Sequence, residues 1–192
     1  MTMPTDVGAV DLMISFPTAD HARTYDYLRP MLRDSGRDSM AMPAEYMFKD
    51  IPNRLEEGED PVDITLGEMD RWGVDIGLVG IGRDVMARAL KDHPDRFAAS
   101  LEVDPNDITG TVRKIRAAKD EYDIKAVTTF PAGCNPQVPV SDRRYYPIYQ
   151  TCIDLDIPII TNAGIAGRGS PRRAKTSCTS TRSVTTSPSC AS

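Results

Sequence analysis

Five short apolar runs, each leading into an amphipathic stretch, set the limits on what this chain can fold into. The runs are Ala9–Ser15, Val74–Val79, Phe97–Val103, Ile124–Phe130 and Pro158–Thr161. Each is too short for a buried helix and reads as a strand covered on both faces. Between them, Ile108, Val112, Ile115 and Ala118 recur at helical spacing, as do Tyr145, Ile148, Tyr149, Cys152 and Leu155. Similar spacing predicts helices over 19–33, 62–72, 84–90, 108–122 and 144–155. Strands alternating with helices imply a parallel α/β sheet with right-handed crossovers.

Two segments depart from that rhythm. Pro17–Pro61 is far longer than the other connections, holds Met31, Met40, Met42 and Met47, and ends in the charged turn Glu56-Glu57-Gly58-Glu59-Asp60. A connection of that length is expected to form a cap over one end of the sheet. Residues 168–192 hold twelve Ser or Thr, five basic residues and no acidic one. Such a stretch buries too little apolar surface to offset its ordering entropy, so a disordered tail is expected after a domain of residues 1–167. Shifted back by one nucleotide, with permitted codons throughout, Pro171–Ala191 reads PSACQDVMHFDQVCYDFPELR, which has helical apolar spacing. The expectation is therefore an out-of-frame tail on a truncated domain.

All 28 acidic residues and 18 of the 23 basic ones fall in the first 167, a net charge of −10. An acidic body argues against a nucleic-acid surface. No run reaches the roughly 18 apolar residues of a membrane span, and the N-terminus has no basic, then apolar, secretory pattern. Cys134 and Cys152 have neither metal spacing nor a disulfide framework, which points to the reducing cytoplasm.

Gly80-Ile81-Gly82-Arg83 follows the second strand, and Glu102 ends the next where a ribose-binding acid would sit. The third glycine position is Val85, so the segment also reads as a strand-to-helix turn needing a positive φ. A nucleotide-binding open sheet stays an alternative. His93 reads as a helix-end residue, His21 as a surface one, and Cys134 as a buried thiol without a base. Asp11 in the first strand and Asp104 after the third are the acids best placed for chemistry, because βα-repeat folds gather it at strand ends. Asn106 or Asp107 reads as a helix cap.

Several segments together resemble the amidohydrolase-related family, in the branch of aminocarboxymuconate-semialdehyde decarboxylase-like enzymes. They are Val10-Asp11-Leu12-Met13-Ile14, Glu68-Met69-Asp70-Arg71-Trp72-Gly73-Val74, His93-Pro94-Asp95-Arg96-Phe97, Val103-Asp104-Pro105-Asn106, Ile124-Lys125-Ala126-Val127 and Tyr146-Pro147-Ile148-Tyr149. The resemblance covers residues 8–167. It implies a (β/α)8 TIM barrel, of which this chain would supply the N-terminal five-strand portion. It also implies hydrolysis or non-oxidative decarboxylation of a small carboxylate- or amide-containing substrate, by a homo-oligomeric parent.

The family commonly holds a divalent metal, often zinc. Its ligand positions, a His-x-His on strand one and a His ending strand five, are here Met13, Ser15 and Asn162. The expected site is therefore metal-free, with Asp11, Asp104 and Asn162 as catalytic candidates and Ser15 and Phe130 lining the substrate pocket. A non-catalytic binding or scaffold protein is the other alternative. Five strands cannot close a barrel, so the chain alone is expected to be inactive and prone to associate.

Overall fold

A computed structural model describes residues 7–18 and 55–162. The expected helix over 19–33, most of the cap-like connection and the tail from 168 lie outside those residues. Their elements in chain order are β1 (Ala9–Ile14), α1 (Pro61–Trp72), β2 (Val74–Gly80), α2 (Asp84–Asp92), β3 (Phe97–Glu102), α3 (Ile108–Tyr122), β4 (Ala126–Thr129), α4 (Tyr146–Asp154) and β5 (Ile159–Thr161). A 3-10 turn, Arg143–Tyr145, leads into α4.

The strands form one parallel sheet in the order β1-β2-β3-β4-β5. This order matters for function. An open nucleotide-binding sheet reverses its strand order and opens a crevice at the reversal. Here every new strand adds beside the last, as in the first five steps of a barrel. The nucleotide-binding alternative thus loses the crevice it needs among the described strands. Gly82 takes φ 129° in the turn before α2, which is the conformational reason for glycine there.

The helices start and stop for identifiable reasons. Asp60 caps α1 by accepting from the Val62 amide at 2.8 Å, and Gly73 closes it in the left-handed conformation. Asp107, rather than Asn106, caps α3 through the Gly110 amide at 2.9 Å. The acidic turn is present too: Glu59 N donates to the Glu56 carbonyl.

Alternation along each strand divides the sheet into two faces. Phe97 and Ala99 of β3, Val103 just after it, and Val127 of β4 point to the helices. There Ile115, Ile124, Ile148 and Tyr145 are fully buried in one cluster. A second cluster joins Phe16, Val62, Met69, Val79 and Phe97, with the Phe16 and Phe97 rings edge to face at 5.4 Å. The opposite face carries Ser100 and Glu102 of β3, in register with Ala126 and Thr128 of β4. No helix among the described residues is long and apolar enough to cross a membrane.

Candidate functional site at the strand ends

The two ends of the sheet differ in chemistry. At the N-terminal end, Arg96 donates to Asp70 at 2.8 Å and to the carbonyls of Asp75 and Val74 at 3.0 and 3.2 Å. It ties the α1–β2 junction to the start of β3. His93 sits at this end as the residue that caps the C-terminus of α2, its amide bonded to the Ala89 carbonyl and its ring edge-on to Phe97. These contacts fasten the fold.

The C-terminal ends of β3 and β4 gather polar groups instead. Asp104 Oδ1 accepts from the backbone and side-chain nitrogens of Asn106 at 2.9 and 2.8 Å. The Asn106 amide also donates to the Pro136 carbonyl at 2.9 Å. Its oxygen accepts from Arg144 Nη1 at 2.8 Å. Arg144 in turn grips Asp142 through Nε and Nη2, both at 3.1 Å, which holds the Asp142 carboxyl down at about 2. One chain of hydrogen bonds thus joins the loops after β3 and β4.

Glu102 is the last residue of β3 and stands on the face away from the helices. It remains accessible to solvent yet is surrounded by protein, and desolvation raises its carboxyl above the ordinary range. Cys134 lies beside this cluster. Burial first, then the Asp104 and Glu102 carboxylates, push its thiol up to about 12. The thiol donates to the Phe130 carbonyl at 3.4 Å, so it is an inert buried group.

The expected site residues divide between two places. Asp104 belongs to the polar cluster. Phe130 follows β4 with its ring against Gly133 in the same loop. Asn162 follows β5, exposed, its amide bonded to the Thr129 carbonyl at 3.1 Å. Asp11 and Ser15 lie elsewhere, with Met13, Glu68 and Trp72, along a groove of about 540 Å³ between β1 and α1. Asp11 accepts from the Met13 amide at 2.9 Å. The groove includes neither Asp104 nor Asn162.

Nothing local in the sequence marks Arg144, because its partner Asn106 is 38 residues away. Glu102 had a visible signal: it continues the Ala98–Ser100 alternation, opposite to Phe97, Ala99 and Leu101. Among the described residues, no three His, Cys, Asp or Glu side chains gather as a metal cage.

Comparison with known proteins places this geometry. Residues 21–186 match the amidohydrolase family model. A solved but uncharacterised TIM-barrel protein from Bordetella bronchiseptica is 22% identical with a TM-score of 0.54, over 84% of this chain and 58% of that one. A 5-carboxyvanillate decarboxylase from Novosphingobium aromaticivorans, crystallised with manganese, is 18% identical with a TM-score of 0.56, over 80% and 49%. A dihydroxybenzoic acid decarboxylase from Polaromonas, also with bound manganese, is 15% identical with a TM-score of 0.51, over 79% and 48%. At these identities the likeness is one of fold. This chain spans about half the length of these solved relatives. No curated protein matches it. The consecutive parallel strands and the family match together show that the chain belongs to the amidohydrolase family and forms the first five strands of its barrel.

Proposed function

We propose that the barrel to which these five strands belong acts on a small molecule bearing a carboxylate or amide, by hydrolysis or non-oxidative decarboxylation. The observation that carries this is the cluster of Glu102, Asp104, Asn106 and Arg144 at the strand ends of an amidohydrolase-family sheet, where barrel chemistry collects. In the decarboxylation reading, Glu102 is the proton donor, since desolvation favours its neutral form. The bond from substrate carbon to carboxylate breaks, CO2 leaves, and the Glu102 proton lands on that carbon. The Asn162 amide hydrogen-bonds the substrate, and the Phe130 ring lines its apolar side. Asp104 and Arg144 position the two loops through Asn106. The two buried free thiols suit a reducing cytoplasm.

We further propose that the 192-residue chain by itself has no turnover. Sequencing the gene through the codons for residues 166–172 tests this: an open frame running on after a one-base shift would supply the rest of the barrel. CO2 release and hydrolysis are then measured on both proteins with a panel of small carboxylates and amides. Turnover by the long form, absent in the short one, is the expected result. Glu102→Gln should cut decarboxylation by about 100-fold or more, the usual share of a general acid. A long form inert across the panel would sink the reading.

A further inference from the structure

The fold family implies a divalent metal, and two solved neighbours were crystallised with manganese. The residues at the described strand ends do not suit one. Divalent first-row metals in proteins take imidazole, thiolate or carboxylate. The positions where the family places its ligands hold a thioether at Met13, a hydroxyl at Ser15 and an amide at Asn162. None supplies an anionic or imidazole donor.

Nearby groups do not compensate. His93, the one histidine among the described residues, is at the opposite end of the sheet, bonded into the α2–β3 turn. Asp104 has one oxygen committed to both nitrogens of Asn106. Asp11 is turned onto the Met13 amide. A ligating cysteine must be deprotonated, and Cys134 is buried beside two carboxylates that oppose its ionisation. Among the described residues, Glu102 belongs to no group of three or more His, Cys, Asp or Glu side chains that could hold a metal.

We infer that strands β1 and β5 of this chain have lost the metal-holding positions of their fold, and that Met13, Ser15 and Asn162 are the cause. All three side chains are exposed, Met13 at 68%, so imidazoles fit there without displacing the core. The reversal of the loss is therefore part of the claim: histidines at Met13 and Ser15, two residues apart on one face of the chain and both lining the β1–α1 groove, should restore a metal-holding pair, to which a histidine at Asn162 is added.

Metal content is the readout, which separates this inference from the proposed reaction. The full chain without an affinity tag is incubated with Mn2+ or Zn2+, passed through gel filtration and measured by elemental analysis. The expected result is far less than one metal per chain, and a melting temperature unmoved by chelator. The Met13→His/Ser15→His/Asn162→His variant is expected to retain metal and to melt higher when metal is added, because a ligand that binds only the folded state stabilises it. Stoichiometric metal on the unmodified chain overturns the inference. So does a variant with unchanged circular dichroism that retains no more metal than its parent. Should the triple variant not fold, Met13→His/Ser15→His, which changes only the two groove-lining positions, takes its place, and the unmodified chain still decides the first half.

Discussion

At the scale of single residues, environment separates groups of the same type. Asp60 and Glu102 are both carboxylic acids. Asp60 faces the Arg88 guanidinium, with contacts of 2.5 and 2.6 Å, and its carboxyl falls from 3.8 to about 2. Glu102 has no such partner, and desolvation moves it upward. The first shift has a definite sign in stability. A carboxyl depressed in the folded state stabilises it above the unfolded value near 4, and that contribution disappears as pH falls towards 2. Melting temperature should therefore drop across that window, and Asp60→Asn should flatten the drop. Because the pair is exposed, salt should weaken the effect. A profile identical in the variant would contradict the assignment. Cys134 and Cys152 offer a second check. Burial raises both thiols, to about 12 and about 11. Iodoacetamide at about pH 8 should leave both unmodified in the native chain and label them after denaturation, as read by peptide mass mapping. Rapid labelling of Cys134 would instead mark it as accessible and activated.

At the scale of elements, periodicity and caps were legible, and long-range pairs were not. Helix α3 runs over the expected Ile108–Tyr122 because a cap at Asp107, an apolar stripe and a left-handed Asp123 all agree. Strand β4 begins two residues later than the apolar run suggests. Ile124 is drawn fully into the core just after Asp123, and regular strand geometry starts only at Ala126. Helix α4 is preceded by a 3-10 turn because Asp142 caps the Arg144 amide, and Pro147 then sits in the first turn of the α-helix. The segments that carried the family resemblance near Asp70 and Arg96 turn out to meet each other. Arg96 spans α1, β2 and β3, with its side chain only 25% exposed. Arg96→Met should cost about 0.5–1.5 kcal/mol, since the half-buried Val74 carbonyl and the exposed Asp75 carbonyl lose a charged donor. Ile115→Ala should cost about 2–5 kcal/mol through the cavity it leaves. Urea melts measure both. An Arg96 variant as stable as its parent would show that the junction holds without it.

At the scale of the whole molecule, the parallel topology that places the strand ends together also leaves the sheet open. Among the described residues, β1 and β5 each pair on one side only. Strand β1 presents Val10, Leu12 and Met13 at 56%, 54% and 68% exposure, with Val7 at 64% just before it. Unpaired amides and carbonyls beside exposed apolar side chains are a template for association. A barrel removes this hazard by closing, and five consecutive strands do not reach closure. The sequence carried the number and order of strands and, with them, the open edges; which side chains stand exposed along β1 depends on what that strand finds beside it. The chain should therefore elute from a sizing column well above monomer size, in a concentration-dependent way. Leu12→Lys, which places a charge on the open strand, should shift it towards monomer while leaving the β3–β4 core intact. Light scattering across a dilution series separates the outcomes. A monomeric parent that melts cooperatively and turns over substrate would mean that β1 is covered, and the proposal that five strands alone are inactive would fall with that result.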